Sequence, residues 1–454
     1  MSQSLVPVLG HSPCLPVMPG CQENLSGIIL RTSRIILLAK ALSDKTVPIS
    51  SFEGLTMTDM TAARRNIIIL TIAQALGASS PPIVISLGGL VGQKLSSDPA
   101  LVTLPVSLFN LGLALGTLPA AFFMRQFGRR NAYMLGALVG ASAGVIAAAG
   151  IFAASFLIFC LGTLTAGFYA AYVQSYRFAA TDAATGDMKA RAISWVMVGG
   201  LVAAIVGPQL VIWTRDTIPD AMFAGSFLSQ AVLGLLALPV LFMLRAPKIR
   251  KDPNVVHDTG RPLGEILRSP RFMLSVAAGV CSYALMTFVM TAAPIAMVGH
   301  GHSVDHAALG IQWHVLAMFA PSFFTGRLIT RFGKEKITAL GLVLIAFSAI
   351  IALGGFDVGH FWGALIFLGI GWNFGFIGAT AMVTDCHTPA ERGKAQGAND
   401  FIMFGTVACA SFFAGSLLHS SGWETINWLV FPIVALVLVP LILRLKPKEA
   451  VAEA

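Results

Sequence analysis

The chain has 454 residues, of which 56% are hydrophobic and only 11% charged, and its net charge is +9. That is too little polar material to cover a soluble surface, so the chain belongs in lipid. The excess of positive charge does not mark a nucleic-acid binder, because the cations sit between long apolar stretches and form no basic domain.

Residues 1–60 do not behave like the rest. The run GIILRTSRIILLAKAL carries three cations and is too short to span a bilayer, and no small-residue cleavage site follows it. This segment is read as a disordered or non-native extension. A weakly amphipathic extension fits it equally, and a bolder reading is that it is not made at all and that the native start is Met57 or Met60, immediately before Arg64 and Arg65. From there hydropathy predicts twelve helical spans, roughly 66–92, 101–123, 131–152, 154–177, 192–214, 221–244, 272–297, 307–329, 336–355, 360–383, 397–419 and 424–443. With both termini cytoplasmic, the external loops hold only Lys94 and Arg215, leaving 28 of the 30 Lys and Arg inside. The positive-inside rule then excludes the opposite orientation. The expected organisation is an extension over 1–60, a six-helix half over 61–245, a polar linker over 246–270, a second six-helix half over 271–445 and a short tail over 446–454. The six cysteines form no CxxC pair and read as small core residues.

Two internal repeats support the division. LPAAFFMRQFGRR, from Leu118 to Arg130, and SFFTGRLITRFGKEK, from Ser322 to Lys336, set Gly128 against Gly333 and Arg129 against Lys334 at an offset of 205. Thr181-Asp182 followed by Arg191 matches Thr384-Asp385 followed by Lys394 at an offset of 203. Glycine permits the tight reversal, and the clustered cations hold the turn on one side of the membrane. Two pairs at nearly one offset argue for parallel repeats about an axis along the membrane normal, with a solute site between them.

Gly326, Leu328, Arg331, Gly333 and Lys334 resemble the Gly-x-Leu-x-Asp-Arg-x-Gly-Arg signature of the major facilitator superfamily. The resemblance implies an all-α integral membrane protein with twelve transmembrane helices in two parallel six-helix repeats, working by alternating access. The signature's Asp position holds Thr330 in one copy and Arg125 in the other. The hypothesis is a swapped ion pair of Arg125 or Arg129 with Asp400 when the transporter faces outward; the plain alternative is that Asp400 caps its own helix or meets water. Arg331, Asp182 and Asp385 complete the expected gating set, with Gly128, Gly333 and Lys334 at its turns. Span 8 to span 11 is similar to a bacterial permease group associated with riboflavin and related vitamin uptake. Gly207-Pro208 in span 5 partly resembles the glycine-proline motif of drug/proton antiporters, for which close packing around a kink is the plainer account.

Polar and aromatic residues deep in the spans are the solute-site candidates, because unsatisfied polarity in hydrocarbon is costly. They are Gln74, Asn110, Tyr169, Tyr172, Tyr176, Tyr283, Gln312, His314, Trp372 and Asn373. For any one ring the plain alternative is helix packing, and for any one amide it is hydrogen bonding between helices. The set is rich in rings and nearly free of charge, which favours a neutral or weakly charged aromatic solute. Asp400 alone among the carboxylates falls clearly inside a span, so His314 and Asp400 are the expected carriers if protons couple to transport. The loop residues His300, His302, Asp305 and His306 hold types that suit a transition metal, but without a fixed geometry they read as solvated. No metal, cofactor or nucleic acid is expected, nor is enzymatic activity, since no nucleophile, base or metal-ligand cluster lies within the spans. The expectation is a monomeric secondary transporter of the bacterial inner membrane, taking up riboflavin or a related vitamin. The alternative is a drug/proton antiporter. Peptides from residues 1–50 recovered from native protein by mass spectrometry would overturn the expected start.

Overall fold

The computed structural model describes residues 57–181, 187–245, 260–388 and 391–445, and these form helices joined by short loops, with no strand among them. The first crossing is made by α1 (Met57–Gly77) and α2 (Ser80–Leu95), separated where Pro81 and Pro82 withdraw two amide donors from the ladder. Then come α3 (Leu104–Phe152), α4 (Phe156–Gln174), its short continuation α5 (Tyr176–Thr181), α6 (Asp187–Thr214) and α7 (Ala224–Phe242). After the short α8 (Leu263–Arg268) follow α9 (Pro270–Gly299), α10 (Val304–Phe319), α11 (Ser322–Phe332), α12 (Lys334–Leu353), α13 (Val358–Thr384), α14 (Arg392–Trp428) and α15 (Val430–Leu445).

Among the described residues nine helical stretches are long and apolar enough to cross a membrane, ten when α10 and α11, bent by 42°, count as one. Two of the nine, Pro99–Phe152 and Lys394–Arg444, run to 54 and 51 residues, about twice the ~20 residues that one crossing needs. Each is broken at a glycine in the left-handed half of backbone space, Gly128 at φ 77° and Gly422 at φ 79°. The count is compatible with twelve crossings. Gly128 and Gly333, the latter at φ 91°, are the two turns that the repeat aligns, and an L side chain there would be strained.

Residues up to 245 are called here the first half of the chain and those from 260 the second. Apolar burial falls into two large clusters, one drawn mainly from Ile69 to Leu244 and the other mainly from Ala278 to Leu441. Helices approach closely at small residues, as membrane packing without a hydrophobic drive between helices requires. A methyl added at Gly341 of α12 would lie 2.2 Å from the Gly375 amide of α13, so the two backbones touch directly.

The bend between α10 and α11 has a polar support. Pro321 interrupts the ladder, and Asn373 of α13, fully buried, donates from Nδ2 to the Met318 carbonyl at 2.6 Å and to Ser322 Oγ at 2.7 Å. Its Oδ1 accepts from Thr325 Oγ1 at 2.6 Å. One amide thus satisfies the groups that the break exposes.

The ties between the halves gather at one end. With Gly128 and Gly333 marking the basic end, the opposite end carries Arg215 Nη1 against Asp305 Oδ1 at 2.6 Å. There too Gln209 Nε2 donates to Gln312 Oε1 at 3.0 Å, Thr103 Oγ1 donates to the Phe412 carbonyl at 3.1 Å, and the Ser107 and Ser411 hydroxyls meet at 3.1 Å. The Gly415 amide also donates to Thr103 Oγ1, at 3.1 Å, at this end. At the basic end two polar groups tie elements of the second half together. Asp385 of the α13 terminus meets Lys334 of α12 and, at 3.0 Å, Arg271 of α9. Buried Glu391, in the turn before α14, accepts from the Arg261 amide at 2.9 Å, from Arg261 Nε at 2.7 Å and from the Thr388 amide at 2.9 Å. It thereby clips the start of α8 onto the α13–α14 turn. The Arg261 side chain first, and the two amides after it, hold the Glu391 carboxyl well below the usual carboxylate range.

Two outcomes are expected. Gly341→Ala should lower stability by about 1–3 kcal/mol through overpacking. Gly359→Ala, whose methyl meets nothing within 4 Å, should not. Equal thermal midpoints for the two in detergent would overturn the contact. Because the folded Glu391 value is depressed, its contribution is present above about pH 4, the ordinary carboxylate value, and is lost as pH falls further. Glu391→Gln should therefore speed amide exchange at Arg261 and Thr388 at neutral pH, while the wild-type protein keeps both protected.

Candidate functional site

Where the two apolar clusters meet, aromatic side chains from four helices converge. Trp372 and Phe376 stand one turn apart on α13 and so share a face; their rings stack at 5.0 Å with 13° between planes. Tyr283 of α9 meets them edge-on at 5.5 and 5.4 Å and meets Phe404 of α14 at 6.0 Å. Phe319, the last residue of α10, reaches Trp372 at 6.2 Å. Tyr283 and Phe376 are partly buried and pack against both clusters, which sets this group at the boundary between the halves. The Trp372 indole N–H is buried with no hydrogen-bond partner. A stacked and edge-on ring set with a free donor is suited to holding a flat aromatic solute that carries acceptors.

The expected solute residues divide accordingly. Tyr283 and Trp372 lie in the group. Tyr169, Tyr172 and Tyr176 do not: they pack inside the first half, buried as Trp372 is, and the Tyr169 and Tyr176 hydroxyls are likewise without a partner. A methyl at Gly140 would lie 2.5 Å from the Tyr169 ring and one at Gly136 2.7 Å from that of Tyr172, while Tyr176 meets Tyr133 edge-on at 4.7 Å. The helical spacing of these three rings reflects the small-residue face of α3 on which they lie. Gln312 is paired with Gln209 near the end opposite the basic turns. His314 is fully buried, and its Nδ1 donates to the Leu365 carbonyl at 2.7 Å; a carbonyl only accepts, so the proton is on Nδ1. The histidine is a strut between α10 and α13. Asn373 is saturated at the helix break, Asn110 is buried, and Gln74 is half-buried against α6 near Gly199.

Among the expected gating residues, Lys334 and Asp385 meet, joined by Arg271, and Arg331 lies over the Phe332 ring at 5.2 Å. Arg129 Nη1 donates to the Tyr133 hydroxyl at 3.4 Å. Arg125 is exposed, and Asp182 lies outside the described residues. Among the described residues Asp400 makes no ion pair with Arg125 or Arg129 in this structure; its carboxylate accepts from Asn399 Nδ2 at 3.0 Å. Sequence reasoning left out Phe319, Phe404, Arg271 and Glu391. Phe376 alone carried a signal in its one-turn spacing from Trp372.

Two cavities lie elsewhere. One of about 410 Å³ opens at the end opposite the basic turns, between Gln93, Ser96, His300, His419 and Trp423. Another, of about 580 Å³, is an apolar groove along α9, α14 and α15. None of the expected solute residues lines either.

Known proteins agree with this architecture. The family model described as Major Facilitator Superfamily matches residues 67–320 and 277–454. The riboflavin transporter RfnT of Brucella anthropi is 97% identical over 398 residues, covering 88% of this chain and 100% of that protein. The uncharacterized MFS-type transporter YdeG of Bacillus subtilis is 29% identical over 423 residues, covering 89% of this chain and 97% of that one. A crystal structure of the nucleoside transporter NupG has a TM-score of 0.66 at 14% identity, covering 84% of this chain and 100% of that one; it shares the fold. The helical bundle, the paired glycine turns and the match over both halves make this chain a member of the major facilitator superfamily.

Proposed function

We propose that the protein is a secondary transporter that takes up riboflavin across the bacterial inner membrane. The observation that carries this reading is the 97% identity, over its full length, to a relative named as a riboflavin transporter. The ring group of Tyr283, Trp372, Phe376 and Phe404 supports it, since an isoalloxazine is flat, aromatic and edged with acceptors. Two six-helix halves would rock about this group, and the ties gathered away from the basic turns correspond to an inward-facing state if those turns are cytoplasmic, as the cation count favours. The protein would act as a monomer with both termini inside. The antiporter alternative is weakened at its own motif, because Gly207 is committed to packing, its added methyl lying 2.8 Å from the Ser79 carbonyl. If protons drive uptake, the carrier is Asp400 and not His314, whose ring is sealed between helices.

Expression in a riboflavin auxotroph should restore growth at low external riboflavin, and a protonophore should abolish accumulation. Resistance to hydrophobic cations without rescue would favour efflux instead, and accumulation that survives the protonophore would remove protons from the mechanism. Trp372→Ala and Tyr283→Ala should each weaken solute binding by about 1–3 kcal/mol, on the scale of base stacking on an aromatic ring. Tyr172→Ala should leave solute affinity unchanged and cost stability. Equal affinity in all three variants and the wild type would place the solute elsewhere.

A further inference from the structure

We infer that the basic end of the first half holds the headgroup of an anionic phospholipid, seated against Arg65, Arg130 and Arg245 where α1, the turn of α3 and the end of α7 come together. The inference concerns the surface that the bundle shows to lipid and does not depend on which solute is carried.

Three segments of the chain converge there. Arg65 of α1 donates from Nη2 to the Met243 carbonyl, just beyond α7, at 3.0 Å. The next residue, Asn66, is buried and exchanges two hydrogen bonds with the Arg245 backbone: Nδ2 donates to the carbonyl at 2.7 Å, and Oδ1 accepts from the amide at 3.2 Å. Arg130, two residues after the Gly128 turn, lays its guanidinium over the Phe242 ring at 4.7 Å. Three cations are thus gathered at residues 242–245, and none of them makes an ion pair with a described residue. The Arg130 Nε is moreover buried without a hydrogen-bond partner. Phe242 and Met243 beside them are 59% and 53% exposed, so the cluster borders apolar surface that faces hydrocarbon.

The second half shows what fills the corresponding place there. The repeat that sets Gly128 against Gly333 sets Arg130 against Glu335, and Glu335 Oε1 lies 3.7 Å from Arg271 Nη2. Arg271 stands in α9, the first membrane-length helix of its half, as Arg65 stands in α1, the first of the other. A cation and an anion in one half are therefore two cations in the other. Cations at this end also serve topology, and Arg65 caps a carbonyl of the α7 terminus. Neither role calls for a buried Nε with no acceptor, or for three guanidinium groups at one helix end without a carboxylate. A phosphodiester supplies the missing charge, and its oxygens match the fork of guanidinium donors. The exposed Phe242 and Met243 give acyl chains an apolar wall that a free phosphate would leave unused. Basic pockets between transmembrane helices hold anionic lipid headgroups by this combination.

The test is native mass spectrometry of the purified full-length protein from micelles holding equal amounts of phosphatidylglycerol and phosphatidylethanolamine with the same acyl chains, which differ in headgroup charge. Wild-type protein should retain phosphatidylglycerol in preference. The preference should fall about 5-fold in Arg130→Gln and again in Arg245→Gln, on the scale of one cation beside an anionic lipid surface. Lys336→Gln, which removes an exposed cation at the same end of the second half, should keep the wild-type preference. Equal retention of the two lipids by wild-type protein would overturn the inference, and that result needs no variant that folds. An equal fall in Lys336→Gln would also overturn it, since charge at that end would then act without a site. Inorganic phosphate in place of lipid should leave the thermal midpoint unchanged; a rise matching that with phosphatidylglycerol would assign the cluster to a soluble anion and overturn the lipid.

Discussion

Hydrocarbon offers no partner to a backbone N–H or C=O, and the architecture of this chain follows from how each break in a helix meets that constraint. Where the chain must reverse at the basic end, Gly128 and Gly333 turn it without a side chain to accommodate. Where it must bend within a crossing, at Pro321, the Asn373 amide serves the Met318 carbonyl and two neighbouring hydroxyls. Polar residues that look like solute ligands in a list of intramembrane side chains are thereby consumed as structural partners. The Leu365 carbonyl takes up Nδ1 of His314, whose Nε2 is buried without a partner, and Gln209 takes up Gln312.

This explains what the sequence made legible. Twelve apolar stretches, the two aligned turns and the basic bias are properties of composition and spacing, and the bundle follows from them. The Lys334 and Asp385 contact was also within reach, because the repeat aligned both residues with charged counterparts. The solute site was only half legible. Tyr169, Tyr172 and Tyr176 have the same helical rhythm as Tyr283 and its neighbours, yet the first three lie on the small-residue face of α3 and the last faces the boundary between halves. Which way a ring faces depends on the partner helix, and a single chain read by its own periodicity does not carry that. Arg130 was missed for a related reason: a cation at the end of a crossing reads as a topology signal, and its unpartnered nitrogen becomes visible only in three dimensions.

The aromatic group also illustrates why function in this fold separates so readily from architecture. The bundle is held by small residues, helix-break amides and the Glu391 clip, even where Asn373 and Gly375 stand next in the chain to Trp372 and Phe376. Rings at the boundary are free to change with the solute while the framework remains.

The ties opposite the basic turns are few. The ion pair among them, Arg215 with Asp305, is only partly sheltered, with side-chain exposures of 18% and 40%. Such a pair contributes at most about 1 kcal/mol and weakens as dissolved ions screen it. The neutral contacts beside it, Gln209 with Gln312 and Ser107 with Ser411, are indifferent to salt. The composition of the medium bathing that face therefore enters the balance between the two conformations directly: brine favours parting the halves there, and dilute surroundings hold them together.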